Sequence, residues 1–534
     1  MFRLALIIGI YSYSIFSIGL LGILSKNLVN IFTIAFLLFL ILYFKSDILS
    51  FFKSIRRLCV IKNNLFLFLL ILLITQILVN SIGVLGPEIA FDSLWYHLSL
   101  PKVYLELEKV TYIPGGLLYY SAMPKFIEMI YVGALSLGGE ILAKGIHFFL
   151  GLAVLLAIYK ISRKFYSHTY ALLACIIFYS SLVVGWESIT AFVDLGRTFF
   201  EIMAFWAMLN FFKTKSSVWV LMSGIMLGFA IAAKLLAIGS LVIMITFLFF
   251  ICYKQKISFK KSVIYFCLFI LSCLFILLPW FIFAFRSTGN PIFPIFTSLL
   301  PLAPNLNLYP HEIVKSCILL FMASADPISP IFLITVPLIP FAFRKFSSYE
   351  KMFLVYSVLS LCIWYITPHL GGGRFILPYL PVISLLQLAI LRPFEKNMYS
   401  KVIVMLVVFL AVISIGYRFF ANVKYVPYVF GFQTKDYFLS KNLNFSFGDF
   451  YDTDGYFKKN IKKTDKILIF GTHNLYYVDF PFIHETWVKK GDEFNYVLVQ
   501  NASLNPRFFF WKKIYENKTS NVILYSLGGK KWHY

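Results

Sequence analysis

Charge is what this sequence has least of. Asp, Glu, Lys and Arg make up 13% of its 534 residues, about half the share in soluble domains, while 60% are hydrophobic. That balance excludes an ordinary soluble enzyme and leaves a chain that crosses a membrane many times. Acid is scarcer still, with 24 Asp and Glu against 48 Lys and Arg. On a soluble chain such an excess of base would suggest nucleic acid. Here it is assigned to cationic loops that hold spans in place, and no nucleic-acid partner is expected. The seven cysteines lie mostly inside apolar runs and form no Cys-x-x-Cys pair, so neither a disulfide framework nor a zinc site is indicated. The N-terminus has only Arg3 ahead of a long apolar run and no small-x-small cleavage pattern, and it reads as a retained first span.

What the chain does have is apolar segments of crossing length, about thirteen of them, from Leu4–Leu24 to Val402–Tyr417. With the N-terminus in the cytoplasm, the inside loops collect Lys160, Arg163 and Lys164, then Lys254, Lys256, Lys260 and Lys261, then Arg392, Lys396 and Lys401. The opposite loops hold Glu88, Asp92, Glu187, Asp194, Glu312 and Asp326. This alternation follows the positive-inside rule, and a miscounted span would break it. It puts Asp92, Asp194, Lys234, Arg286, His369 and Arg374 at one non-cytoplasmic face, where they can share a site.

Residues 1–420 are therefore read as a transmembrane domain with a long first outside loop, residues 86–139. Within that loop Asp92–Glu108 predicts an interfacial helix bent or split at Pro101, and Pro124–Leu137 predicts a short juxtamembrane or re-entrant helix. Residues 421–534 turn polar and aromatic and predict a small α/β domain on the outside face. Its strands are expected over Lys466–Thr472, Asn495–Gln500 and Asn521–Leu527, with a short helix over Arg507–Glu516. Gly471-Thr-His-Asn reads as an ordinary turn, or more weakly as a phosphate-holding turn into a helix.

Ionisable side chains beside membrane spans are costly to keep and so point to function. Asp92 lies among Phe91, Trp95, Tyr96 and His97, where partial desolvation is expected to raise its proton affinity and suit it to act as a general base or to help bind a divalent cation. The bland reading is a helix N-cap. Asp194 is either a second acid of the site or half of an i,i+3 ion pair with Arg197, and Glu187 is a candidate of the same kind. Lys234 is either a snorkelling side chain or a cation for a lipid phosphate. His97 is more readily a packing residue than a metal ligand, since no partner His sits at metal spacing. Arg286 ends a span before a sharp turn. His369 and Arg374 flank Gly371–Gly373, a run that either makes a compact turn or frees backbone N–H groups for a phosphate or pyrophosphate beside a permanent charge.

Asp92 with Tyr96 and His97, Asp194 before a later span, Lys234, Pro279-Trp280 through Gly289-Asn290-Pro291, and Arg374-Phe375 followed by Pro378 and Pro381 resemble, in that order, the GT-C superfamily of integral-membrane glycosyltransferases. The pattern is similar to bacterial relatives of the protein mannosyltransferases and aminoarabinose transferases. The resemblance implies a polyprenyl-phosphate-linked sugar as donor and a lipid, glycan or protein acceptor, with transfer at the outer face of the cytoplasmic membrane. It implies Asp92 and Asp194 as catalytic acids, Lys234, Arg286 and Arg374 as donor-phosphate contacts, and Tyr96, His97, Glu187 and His369 as substrate contacts. Ser93 stands where the family often has a second acid, so a divalent cation (Mg or Mn) is an open possibility only. A polymerase or ligase using lipid-pyrophosphate-linked oligosaccharide would lean on Arg374, Arg286 and His369. A lipid-linked-saccharide transporter would need charges buried midway along its spans.

Overall fold

The computed structural model describes residues 1–50, 63–299, 308–324, 326–367, 372–395, 397–528 and 530–534. Among these, nine helices are long and apolar enough to cross a membrane, and His168–Tyr179, Ser217–Ala233 and Ile331–Phe343 are shorter apolar helices. Asp194–Thr214 is helical over 21 residues. The protein is thus a multi-span helical membrane protein with a small sheet region at its C-terminal end. The six described cysteines are free.

The stretch expected as a re-entrant helix is the first half of a helical segment, Phe126–Ser162, broken at Gly139 (φ 66°, ψ −156°). That backbone conformation is open to glycine and strained for other residues. The break lets the first half lie buried inside the bundle while the second continues as a span. Tyr131 on the buried half donates to the Phe192 carbonyl, and Ser12 Oγ donates to Phe126 O at 2.6 Å. The first helix, Phe2–Leu20, is fixed in turn by Phe16 stacked on Trp280 with centroids 3.8 Å apart.

The first outside loop departs from the expected bent helix. Ser93–His97 is a π-helical turn, closed by the Leu98 N–H donating to Ser93 O at 2.9 Å, and an α-helix follows over Ser99–Glu106. The break therefore falls at Leu98, not at Pro101. Pro101 lies in the first turn of the second helix, where its missing N–H has no partner to lose. Insertions of this kind are frequent at functional sites because they re-aim side chains.

The C-terminal region forms a five-stranded sheet in the order β2-β1-β4-β6-β5, with β1 Ile467–Phe470, β2 Phe482–His484, β4 Tyr496–Gln500, β5 Lys512–Asn517 and β6 Val522–Ser526. β1 runs parallel to β2 and β4, and β6 runs antiparallel to β4 and β5. Strands β3 Glu493–Phe494 and β7 Trp532–His533 form a separate pair. The helix expected over Arg507–Glu516 is instead a short 3₁₀ turn, Pro506–Phe508, and then β5. Pairing with β6 along a hairpin prevails over local helix preference there, and Tyr515 of β5 stacks on Tyr456 at 3.8 Å. No helix follows Gly471, so the phosphate-turn reading of Gly471-Thr-His-Asn falls.

This sheet region docks on the first outside loop. Lys102 Nζ donates to the carbonyls of Tyr476 (2.9 Å) and Val478 (2.7 Å) and pairs with Asp479 at 2.7 Å. Glu140, just past the Gly139 break, accepts from Lys435 and Tyr476. Tyr477 OH donates to Glu88 O at 2.8 Å. Removing the Glu140 carboxylate leaves a lysine and a buried tyrosine hydroxyl without their acceptor. Glu140→Ala is expected to cost about 2–4 kcal/mol and to expose the 423–434 connection to protease. Unchanged thermal unfolding and proteolysis of the purified variant would count against this docking.

Candidate active site

Four segments bring their ionisable side chains to one point. Arg374, in the short helix Gly373–Ile376, reaches Asp92 Oδ2 with Nη1 at 2.7 Å and Asp194 Oδ2 with Nε at 3.3 Å. Its Nε also lies 3.2 Å from Glu187 Oε1. The guanidinium sits over the Phe192 ring, 4.2 Å from its centroid. Lys234, at the C-terminal end of the Ser217–Ala233 helix, pairs with Asp194 Oδ1 at 2.6 Å. Glu187 and Asp194 are buried, while Asp92 (21% exposed), Arg374 (14%) and Lys234 (18%) open to the outside of the cluster. Buried and exposed members thus form a gradient, with the cations and Asp92 at the open side.

The backbone presenting these groups is pinned by buried polar contacts. Glu88 Oε1 accepts from the Ile89 and Ala90 N–H groups, each at 2.9 Å, and its Oε2 accepts from Ala191 N–H at 2.6 Å. One carboxylate thereby ties the Asp92 turn to the loop that carries Glu187 and Asp194. Lys144 Nζ donates to the Gly83 and Gly86 carbonyls at 2.8 and 2.7 Å, closing the same turn from the other side. His147 lies within hydrogen-bonding distance of Glu187 O (3.0 Å) and Thr190 O (2.9 Å) through Nδ1, and its Nε2 accepts from Leu195 N–H at 3.0 Å. This fixes its proton on Nδ1 and locks the 187–195 loop. At position 373 a Cβ would lie 2.1 Å from Asp326 O, so that glycine serves a close backbone approach.

The expected site residues divide as follows. Asp92, Glu187, Asp194, Lys234 and Arg374 meet. Tyr96 joins them, its OH donating to Asp92 Oδ2 at 3.3 Å. His97 lies behind, buried, with Nδ1 2.9 Å from Glu128 Oε1. Arg286 is exposed at the end of the Phe259–Thr288 helix and makes no ion pair among the described residues. His369 and Gly371 lie outside the described residues. Arg197 does not pair with Asp194. Its Nε donates to Glu201 Oε1 at 2.7 Å and its Nη2 to Tyr379 OH at 3.1 Å, because i,i+4 spacing aims it down the helix while Lys234 and Arg374 claim Asp194. Sequence reasoning missed Phe192, Lys144 and His147. Lys144 and His147 were visible only as polar residues inside an apolar span.

The expected rise in Asp92 proton affinity is reversed. Burial works upward and is the largest single influence, but Arg374, His97 and Lys234 together outweigh it and hold the carboxyl below its usual range. No group of three or more His, Cys, Asp or Glu side chains among the described residues is arranged to hold a metal ion. The space between Asp92 and Asp194 is filled by a guanidinium, so the residues as placed do not fit a divalent cation.

Glu88→Ala is expected to strand three backbone N–H groups at about 1–3 kcal/mol each, whereas Glu88→Gln keeps an acceptor. Hydrogen exchange at residues 89–92 and 190–195 should quicken strongly in the first variant and little in the second. Equal protection in both would remove Glu88 from this role.

Residues 140–283 match the family model described as dolichyl-phosphate-mannose-protein mannosyltransferase, a span holding Glu187, Asp194 and Lys234. No curated protein matches the sequence. Among solved structures, ArnT from Cupriavidus metallidurans in the apo state superposes with a TM-score of 0.57 at 12% identity, over 86% of this chain and 97% of that one. The same protein bound to undecaprenyl phosphate gives 0.55, with the same identity and coverage. The chain thus shares the fold of ArnT over most of its length, and the family match to residues 140–283 lies inside that shared fold.

Proposed function

We propose that the protein transfers a hexose or pentose from a polyprenyl-phosphate-linked donor to a hydroxyl of a lipid, glycan or protein acceptor, at the outer face of the cytoplasmic membrane. The basic loops then lie inside, and the cluster and the C-terminal domain lie outside. The observation carrying this reading is the Arg374 guanidinium held between Asp92 and Asp194 with Lys234 beside them. A guanidinium that grips a carboxylate is equally suited to a phosphate. ArnT from Cupriavidus metallidurans, which shares the fold, binds undecaprenyl phosphate, and this supports a lipid-phosphate donor.

In the proposed reaction the acceptor oxygen attacks the anomeric carbon from the face opposite the phosphate. The bond from that carbon to the phosphate oxygen breaks, its electron pair stays on the phosphate, and the acceptor proton passes to Asp92. Arg374 and Lys234 stabilise the charge that develops on the leaving phosphate. Donor binding draws Arg374 away from Asp92 and so restores the basicity that the ion pair suppresses. Entry of the donor thereby switches on the base. Asp194 stays behind as the counter-charge that keeps the two cations in place.

Asp92→Asn is expected to lower transfer by about 10²–10⁴ while undecaprenyl phosphate binding persists. Arg374→Gln should weaken that binding and move the acid limb of the activity profile upward. The sign follows from the ion pair: a carboxyl held low stays ionised as pH falls, and loses that protection with the guanidinium. Activity is expected to survive EDTA, since a guanidinium occupies the place between the acids. Near-normal turnover of Asp92→Asn would overturn the reading of Asp92, and loss of activity on chelation would overturn the metal-free reading.

A further inference from the structure

The open side of the cluster is walled by aromatic rings that the transfer chemistry leaves unused. Phe91, next to Asp92, is 38% exposed. Its ring stacks on His473 of the C-terminal domain at 5.0 Å, and Trp95 lies 4.4 Å from the same imidazole. Tyr120 stacks on Tyr96 at 3.8 Å and on Tyr119 at 4.2 Å. Trp95, Tyr119, Tyr120 and His473 are half-buried, so part of each ring remains open.

The position of His473 in its own sheet carries a second, independent meaning. β1 has parallel neighbours on both sides, β2 and β4, so the chain leaving its carboxyl end does so at a switch point. Open sheets with parallel strands bind ligands in that crevice. Here the crevice faces the Asp92 turn. His473 is also held rigidly: its N–H and that of Asn474 both donate to Gly448 O at 3.0 Å, and Asn474 Nδ2 donates to Asp449 Oδ1 at 2.5 Å. His473 Nδ1 sits 3.2 Å from Asn474 Oδ1, which leaves Nε2 as a free acceptor among the described residues. Burial holds the imidazole below its usual range, hence neutral.

Charge sorts the two sides of the site. Arg374 and Lys234 lie toward Asp194 and suit an anionic lipid head. The rings on the other side carry no formal charge and offer flat apolar faces with a hydrogen-bond acceptor at the rim. A sugar ring presents C–H groups on its faces and hydroxyls on its edge, which is the complement of that surface. We propose that Phe91, Trp95 and His473 form a subsite for a neutral sugar ring of the acceptor, so that the C-terminal domain takes part in recognising a glycan-bearing acceptor. This rests on the glycosyltransferase reading and deepens it.

The test uses the full-length protein in nanodiscs and saturation-transfer NMR with methyl glycosides of common hexoses, run beside a serine-containing tripeptide. Binding of a glycoside is expected, and Phe91→Ala and His473→Ala should each weaken it about three- to tenfold. Both side chains are partly exposed, and thermal unfolding checks that the variants fold. Undecaprenyl phosphate binding should stay within about twofold of the parent. Absence of glycoside binding, binding indifferent to both substitutions, or tripeptide binding that they abolish instead would each overturn the subsite. Failure of the parent protein to bind undecaprenyl phosphate would undo the donor reading separately, leaving the glycoside result to stand or fall alone.

Discussion

One guanidinium holds the site together. Arg374 contacts three carboxyl groups from two segments, the Asp92 turn and the 187–195 loop, and Lys234 secures Asp194 from a third. Charges taken out of water are stable only when paired and hydrogen-bonded. The chain can therefore bury the Asp194 carboxylate only if the Gly373–Ile376 turn and the Lys234 turn arrive in register with it. The surrounding structure reads as the means to that end. Glu88, Lys144 and His147 spend their polar groups on backbone atoms of the two acidic segments, and the buried half of the helix broken at Gly139 brings Tyr131 to the same loop.

The same pairing explains a chemical property that looks adverse at first. A base gripped by an arginine is a weak base, and Asp92 is held below its usual range. In the proposed reaction that weakness protects against idle chemistry until the substrate itself removes the grip. A phosphate competing for the guanidinium meets that condition.

Much of the architecture was legible because a membrane enforces it. Apolar length marks the spans, and the sidedness of charge in the loops put Asp92, Asp194, Lys234 and Arg374 at one face before any contact was known. What escaped depends on geometry finer than sidedness. A π-helical turn at Ser93–His97 leaves no distinctive composition, so the break was expected at Pro101. Arg197 has acids at both i−3 and i+4, and only the competing cations decide that it takes Glu201. Arg286 lies exposed at a helix end and makes no ion pair among the described residues. Lys512–Asn517 carries charged and polar residues at most positions, and only its pairing with β6 makes it a strand.

The docking of the C-terminal sheet on the first outside loop has a bearing on how such a protein can change over generations. Lys102 is satisfied by two carbonyls and an acid of the distant domain, and Glu140 by a lysine and a tyrosine from it. A different terminal domain grafted onto this helical body would inherit Lys102 and Glu140 with their polar groups unmet. The two parts are bound to diversify together, so that a change in the terminal sheet region is transmitted to the loop carrying Asp92.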